Sequence, residues 1–309
     1  MAPALHDWDR QWAALRQRHG ALRDRLPDLA VRALKAGRDG FKTARTWAAR
    51  VEHRSPHENL LHCCVHKTGS QWIAALLDDL VTYRYCGLRR FQYQTRLPGG
   101  FDPRGLRERR FDRALPAGRI LGPLYVDHEG YRTLPHTGSR RAFFVQRDPR
   151  DVLVSWYYST RYSHVPLGDL PRLRARLEAL DVEGGLRFAV DHLEAFGAFE
   201  ALRSWARAAP DDASALVVRY EDLVGPEAFS AFRAVYDHLD VPIPDDALRA
   251  LVDAYAFRRL TRRAPGEADA RSHLRAGQPG NWREHLPEAV ADRLRETTRD
   301  LAAELGYAD

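Results

Sequence analysis

The chain has 309 residues, of which 44% are hydrophobic and 29% are charged. These apolar residues can fill a sizeable core, so the composition excludes a globally disordered chain. No apolar run approaches the roughly 18 residues of a membrane span, and the charged N-terminal stretch does not have the form of a secretory signal. We therefore expect a cytoplasmic protein, and its net charge of +6 indicates an anionic partner.

The first 50 residues alternate apolar and charged positions at helical spacing. This pattern predicts one or two surface helices, and we divide the chain into a helical extension over residues 1–55 and a single α/β domain over 56–309. A basic arm that touches a partner is the alternative interpretation of the extension.

A new pattern begins at Leu60. The run "NLLHCCVH" has the form of a buried strand, and residues 70–83 repeat apolar positions at the spacing of an amphipathic helix. Residues 86–117 are polar and contain Gly and Pro, which predicts a loop with little regular structure. The three cysteines, Cys63, Cys64 and Cys86, lack metal-ligand spacing, which favours buried thiols in a reduced protein and no metal site.

Further along, "RILGPLYV" and "RRAFFVQ" are predicted strands, and Asp148 is a predicted N-cap with Pro149 at the first helical position. A long helix, "GLRFAVDHLEAFGAFEALRSWARAA", precedes the strand "SALVVR". Two helices over 226–255, a loop over 261–282 and a last helix over 286–305 complete the chain. This alternation predicts a parallel sheet covered by helices on both faces.

The turn from the first strand to the first helix carries the clearest chemical signal. Lys67-Thr68-Gly69-Ser70 would place backbone N–H groups and a helix start around an anion. Gly69 allows a tight turn, Lys67 adds a point charge, and Ser70 is a candidate helix cap. An ordinary strand-to-helix turn with an exposed lysine is the alternative.

Two later segments contain further anion-binding residue types. Arg147 ends a predicted strand, and Ser155 follows eight residues later on a helix, an arrangement suited to a phosphate. Ion pairs at the helix start are the alternative there. The late segment "RAGQPGNW" places Arg275 and Trp282 around two glycines, Gly277 and Gly280, and is a weak signal alone.

Together these segments resemble the sulfotransferases that use 3′-phosphoadenosine 5′-phosphosulfate (PAPS). The family's 5′-phosphosulfate loop has the pattern P-K-[ST]-G-[ST]-[ST]-W, and residues 66–72 read "HKTGSQW". The family also has an arginine followed eight residues later by a serine, a Tyr-Glu-Asp segment matched by "VVRYEDL", and a late R-K-G-x-x-G-x-W loop. The four motifs occur here in the family's order.

The resemblance implies a P-loop-like α/β fold, PAPS as donor, 3′-phosphoadenosine 5′-phosphate (PAP) as product and no metal. Lys67 would stabilise the leaving phosphate oxygen, the loop would cradle the 5′-phosphate, and Trp72 would stack on adenine. The implied cofactor-binding residues are Lys67, Thr68, Gly69, Ser70, Gln71, Trp72, Arg147, Ser155, Tyr220, Phe257, Arg275 and Gly277. Departures from the pattern are His66 for proline, Gln71 for a hydroxyl residue and Ala276 for lysine.

The family's usual general base, a histidine, is absent at the corresponding position. Alignment on Arg119 places Leu124 there. His128 is a candidate because its ordinary pKa lies nearest neutrality, and Asp127 is another if burial raises its pKa. The neighbouring Glu129 and the later His164 stay open as alternatives. The predicted catalytic residues are Lys67, His128, Asp127 and Ser155.

The sequence thus predicts an enzyme that transfers a sulfuryl group to a hydroxyl of a small-molecule, lipid or carbohydrate acceptor. A small-molecule kinase of the P-loop type and a non-enzymatic protein that binds nucleic acid or anions are the alternatives. No nucleic acid partner and no membrane span are expected for the sulfotransferase, and its surface is compatible with a homodimer.

Overall fold

A computed structural model describes residues 49–97, 102–164, 168–267, 269 and 277–308. Five strands form one sheet in the order β2-β3-β1-β4-β5, and each neighbouring pair is parallel. The strands are β1 (Asn59–Cys64), β2 (Arg89–Phe91), β3 (Arg119–Tyr125), β4 (Arg140–Gln146) and β5 (Ala215–Arg219). The predicted parallel sheet is confirmed, whereas most of the predicted extension over 1–55 lies outside the described residues and the domain division stays a prediction.

Helices and short turns connect these strands. In chain order the helices are α1 (Ser70–Leu77), α2 (Leu80–Cys86), α3 (His128–Arg132), α4 (Pro149–Tyr158), α5 (Leu170–Glu178), α6 (Val182–Ala195), α7 (Ala198–Ala208), α8 (Tyr220–Val224), α9 (Ala228–His238), α10 (Asp245–Ala254), α11 (Phe257–Thr261), α12 (Trp282–His285), α13 (Glu288–Thr298) and α14 (Leu301–Glu304). A π-helical turn, Ser159–Ser163, follows α4 directly. As predicted, Asp148 caps α4 by accepting from the Arg150 N–H, with Pro149 in the first position.

The two faces of the sheet contribute to separate apolar clusters. Leu61 and Phe144 belong to one cluster, which α6 and α7 cover. Leu60 and Phe143 belong to the other, which α1, α9 and α10 cover. Successive side chains of a strand point to opposite faces, so this division shows that the sheet is buried on both sides.

Several predicted elements are divided in the structure. The helix predicted over 70–83 breaks into α1 and α2, because the Asp79 carboxylate accepts from the Val81 N–H and starts a new helix. The long helix breaks into α6 and α7 at Gly197, which has a φ of 80°. The last helix breaks between α13 and α14, where Arg299 and Asp300 have positive φ. The prediction of a loop over 86–117 was wrong in one respect, since it missed the three-residue edge strand β2.

The order of strands fixes the place of the site. β1 lies between β3 and β4, so the loops that follow the carboxyl ends of these three strands emerge side by side at one edge. Lys67 follows β1, the 126–127 segment follows β3, and Arg147 follows β4. Lys67 and Arg147, which are 80 positions apart in the sequence, are thereby brought together.

Candidate active site

The loop between β1 and α1 is a tight turn with two left-handed residues. Lys67 has a φ of 71° and Gly69 a φ of 76°. The Thr68 hydroxyl closes the turn by donating to the Val65 carbonyl over 2.9 Å. A left-handed lysine costs about 1–2 kcal/mol relative to ordinary backbone, and such conformations persist at sites that use them. Turns of this kind gather backbone N–H groups around an anion.

Arg147 joins this loop to the end of β4. Its Nη1 donates to the Lys67 carbonyl over 2.8 Å. Its guanidinium lies 4.3 Å from the centre of the Tyr220 ring, and Nη2 is 3.6 Å from the Asp151 carboxylate. The side chain is buried, and its Nε has no hydrogen-bond partner within the described chain. The first two predicted motifs are therefore in direct contact.

Tyr220, the first residue of α8, packs on the loop from the other side. A Cβ built at Gly69 would lie 2.9 Å from the Tyr220 ring and 3.3 Å from the Trp72 ring, so only glycine fits between them. The Trp72 indole N–H donates to the Tyr255 carbonyl over 2.7 Å, and its ring meets Phe232 edge-on at 5.7 Å. Three of the predicted cofactor residues thus form one packed group, in which these contacts hold the Trp72 ring.

The late predicted residues meet at a second point. Gly277 has a φ of 61°, and a Cβ built there would overlap the Phe257 ring at the start of α11. The structure therefore brings Phe257 and Gly277 together, although the sequence between them gives no sharp motif. Arg275, a predicted ligand of the 3′-phosphate, and Ala276 lie outside the described residues.

Asp151 connects the late loop to α4. Its carboxylate accepts from the N–H groups of Gly280 over 2.8 Å and of Trp282 over 3.0 Å, while it faces Arg147. The ion pairs considered as the alternative at this helix start also exist, since Asp148 pairs with Arg150 at 2.9 Å. The predicted ion pairs are therefore present, and the phosphate-binding role of this segment stays a prediction.

The other predicted cofactor-binding residues are Ser155, Ser70 and Gln71. Ser155 lies on α4 with a half-buried side chain. Ser70 is the first residue of α1 and was expected to cap that helix; instead its hydroxyl shares a 2.9 Å hydrogen bond with the Tyr125 hydroxyl, and Gly69 is the N-cap. The Gln71 amide donates to the same Tyr125 oxygen at 3.4 Å.

The general-base candidates are held by contacts of their own. His128 is buried, with Nε2 3.2 Å from an Asp212 carboxylate oxygen and its ring edge-on to Trp205. Asp127 caps α3 through the Gly130 N–H at 2.7 Å and pairs with Arg110 at 3.1 Å. Asp212 precedes the amino end of β5, opposite the sheet edge that carries Lys67. The catalytic roles of His128 and Asp127 stay predictions.

The other residues considered for this role differ in exposure. Leu124, at the aligned position of the family's base, is buried in the core. Glu129 is exposed, and His164 is half-buried after the π-helical turn.

Sequence reasoning assigned no role to His66. Its imidazole stacks on the Tyr125 ring with a centroid distance of 4.3 Å and an interplanar angle of 3°, and it meets Phe196 at 5.3 Å. Burial lowers the pKa of this imidazole well below its usual value. The signal available in the sequence was the departure from the family pattern, a histidine where proline is usual.

Part of the chain matches a known protein family. The family model described as "Sulfotransferase domain" matches residues 131–306, more than half of the chain. The chain belongs to the sulfotransferase family. The matched range contains Arg147, Ser155, Tyr220, Phe257 and Gly277, and it begins after the Lys67 loop. The contact between Arg147 and that loop therefore joins the matched part to the first motif.

Solved structures of low sequence identity share the fold. Retinol dehydratase in a complex with retinol and PAP is 16% identical, with a TM-score of 0.55 over 83% of this chain and 84% of its own. Retinol dehydratase with androsterone and PAP is 13% identical, with a TM-score of 0.52 over 82% of each chain. Mouse SULT7A1 with PAP is 15% identical over 85% of this chain and 92% of its own, with a TM-score of 0.48. No curated protein matches the chain.

These findings confirm the predicted family of PAPS-dependent sulfotransferases, the predicted class of enzyme and the predicted fold class. Within the described ranges no group of three or more His, Cys, Asp or Glu side chains is arranged to hold a metal ion. The same part of the chain contains no helix long and apolar enough to span a bilayer.

Proposed function

We propose that the protein transfers the sulfuryl group of PAPS to a hydroxyl of a small-molecule, lipid or carbohydrate acceptor. The observation that carries the proposal is the contact of Arg147 with both the Lys67 carbonyl and the Tyr220 ring. Through it, the elements that follow β1, β4 and β5 form one site at the carboxyl edge of the sheet. Anions bind in such places in parallel α/β folds.

The loop residues from Lys67 to Trp72 would hold the 5′-phosphosulfate. Arg147 and Ser155, with Arg275, would hold the 3′-phosphate. The buried Arg147 Nε lacks a partner within the described chain, and a buried unpaired donor is costly unless a ligand completes it. A phosphate oxygen is the acceptor that a guanidinium fork fits best.

The adenine would lie among the aromatic side chains around this anion site. Tyr220 and Trp72 already pack beside Gly69, and Phe257 packs beside Gly277. The two structures with TM-scores above 0.5 contain PAP, which supports a nucleotide of this type for the present chain. The acceptor class, a cytoplasmic location and a homodimer remain predictions.

The chemistry needs positioning and charge stabilisation more than covalent help from the protein. Transfer of a sulfuryl group between two oxygens resembles phosphoryl transfer, in which in-line geometry and electrostatic stabilisation dominate. The Lys67 ammonium is a mobile point charge that would follow the leaving oxygen. Arg147 would fix the main chain at Lys67 through its hydrogen bond to that carbonyl.

Ligand-induced stabilisation tests the donor. We expect PAP at 100 times its dissociation constant to stabilise the protein by about 2.7 kcal/mol, and ATP at the same concentration to do less. Stabilisation by ATP equal to that by PAP would contradict the assignment and favour the kinase. Salt-sensitive binding of a random DNA duplex with no response to PAP would favour the nucleic-acid binder.

Turnover is tested with radiolabelled PAPS and a panel of phenols, sterols and sugars. Lys67→Ala is the matched control, because it removes the point charge and keeps the turn between β1 and α1. We expect labelled product from the native chain and a loss of at least 100-fold in Lys67→Ala. Equal turnover in both proteins would contradict the proposed role of the loop.

A further inference from the structure

His66 lies in the turn that follows β1, immediately before the lysine of the anion loop. Consecutive Cα atoms are about 3.8 Å apart, so His66 is within one residue of the group proposed to face the leaving oxygen. Its side chain is half-buried, and its ring contacts Tyr125 and Phe196. The family pattern has proline here, which offers no proton acceptor.

The His66 ring has a fixed orientation. It stacks on Tyr125, whose hydroxyl is held by Ser70 at 2.9 Å and by Gln71 at 3.4 Å. The Phe196 ring also contacts it, at a tilt of 60°. An imidazole held by two aromatic neighbours loses little further freedom when it acts, which is what a positioned base requires.

The charged and titratable groups that act on this ring are all basic side chains. Arg109 lies beneath Tyr125 and donates to its carbonyl over 3.1 Å. The groups that lower the pKa of His66 after burial are Arg109, His164, Lys67 and His192. No carboxylate is among them. The imidazole is therefore neutral at neutral pH and has a free electron pair to accept a proton.

We propose that His66 is the general base that takes the proton of the acceptor hydroxyl. The proposal rests on the proposed function. The hydroxyl proton moves to a His66 ring nitrogen as the acceptor oxygen forms its bond to sulfur. The bond from sulfur to the bridging oxygen breaks, its electron pair stays on the 5′-phosphate, and PAP leaves; the imidazolium then returns its proton to water.

The two residues that the sequence favoured as the general base, His128 and Asp127, have other contacts in the structure. The His128 ring is committed to Asp212 and Trp205, and Asp127 to the Gly130 N–H and Arg110. Both therefore stabilise α3 and its surroundings. His66 instead adjoins Lys67. One loop would therefore supply both the base for the acceptor oxygen and the positive charge for the leaving oxygen.

The test uses the full chain, labelled PAPS and 2-naphthol as the acceptor. His66→Phe keeps an aromatic ring on Tyr125 and removes only the proton acceptor. We expect this variant to lose 100-fold or more in kcat, to bind PAP within about threefold of the native chain, and to lose the acidic limb of the pH profile. His136→Gln, an exposed loop histidine, is the control for loss of an imidazole.

Two further readouts separate a base from a structural role. Imidazole in solution is expected to restore turnover to His66→Ala and to leave His66→Phe unchanged. The loss in His66→Phe is also expected to shrink for 4-nitrophenol, whose proton is easily lost. Full turnover in His66→Phe with an unchanged acidic limb would overturn the proposal. A loss of turnover in His164→Phe but not in His66→Phe would also overturn it, because His164 would then be the base. Failure of the native chain to bind PAP would instead count against the proposed donor.

Discussion

The Arg147 guanidinium donates to the main-chain carbonyl of Lys67 across 2.8 Å, although the two residues are 80 positions apart. In the proposed function this side chain would serve two purposes, since it holds the Lys67 carbonyl and its Nε, unpartnered among the described residues, would bind the 3′-phosphate. Arg147→Lys removes the fork and keeps the charge, so it separates these purposes.

We expect Arg147→Lys to weaken PAP binding by roughly 10- to 100-fold, because one charged hydrogen bond contributes about 1.5–3 kcal/mol. Calorimetric titration with PAP and with adenosine 5′-phosphate, which lacks the 3′-phosphate, measures the effect. If Arg147 holds the 3′-phosphate as well as the loop, the binding of PAP weakens more than the binding of adenosine 5′-phosphate. An equal loss for both nucleotides would mean that Arg147 acts only by holding the loop.

Gly69 is required by its conformation and by its neighbours. Gly69→Ala would add a methyl group 2.9 Å from the Tyr220 ring at a φ of 76°. We expect a loss of stability of about 2 kcal/mol and loss of detectable PAP binding. Gly118→Ala is the matched control, because Gly118 has a φ of 68° and an added Cβ would meet no atom within 4 Å. Similar losses of stability and of PAP affinity in both variants would show that Tyr220 does not constrain the loop.

Gly277 and Phe257 form a pair that a double-mutant cycle can test. Gly277→Ala would overlap the Phe257 ring, and we expect a roughly tenfold loss of PAP affinity. In Phe257→Ala the same glycine substitution should cost much less, since the ring that it meets is gone. Additive effects of the two substitutions on PAP affinity would contradict a direct contact in the working protein.

His62 makes stability depend on pH. The residue is buried on β1, stacked on Phe143, and neither ring nitrogen has a hydrogen-bond partner in the part of the chain described. Burial, with the charge of Arg90, lowers the pKa of its imidazole from 6.5 to about 3. The unfolded chain therefore binds a proton more readily than the folded one. Protonation of His62 therefore costs the folded state no stability above pH 6.5. The free energy of unfolding decreases as the pH falls from 6.5 toward 3.

His62→Leu isolates this contribution. Each pH unit below 6.5 should cost the native protein about 1.4 kcal/mol that the variant retains. Urea unfolding of both proteins between pH 7 and about 4.5 should therefore show a difference that changes by roughly 2–3 kcal/mol. Parallel pH profiles would show that His62 is protonated or hydrated in the folded state.

Local patterns predicted the strands and the anion loop because their signals lie within a few residues. The continuous apolar run of β1, which is buried along its whole length, and the turn at Lys67 to Ser70 are of this kind. The surroundings of His128 depend on Asp212, 84 residues later, and no local pattern reports such a pairing. The stack of His66 on Tyr125 likewise depends on the register of β1 against β3, where Cys64 pairs with Tyr125.

The edge strand β2 and the helix breaks were missed for a different reason. Three half-buried residues, Arg89 to Phe91, are too short to show an alternation. The break at Asp79 depends on a side chain that caps a helix start inside an apolar repeat, where periodicity alone favours continuation.

The shared carboxylate of Asp151 makes the late loop and the arginine thermodynamically linked. Asp151 accepts from Gly280 and Trp282 while it pairs with Arg147. A phosphate that draws Arg147 away frees the carboxylate to hold the loop N–H groups more tightly. We therefore expect nucleotide binding and protection of the Gly280 and Trp282 amides from hydrogen exchange to rise together, so that each reports on the other.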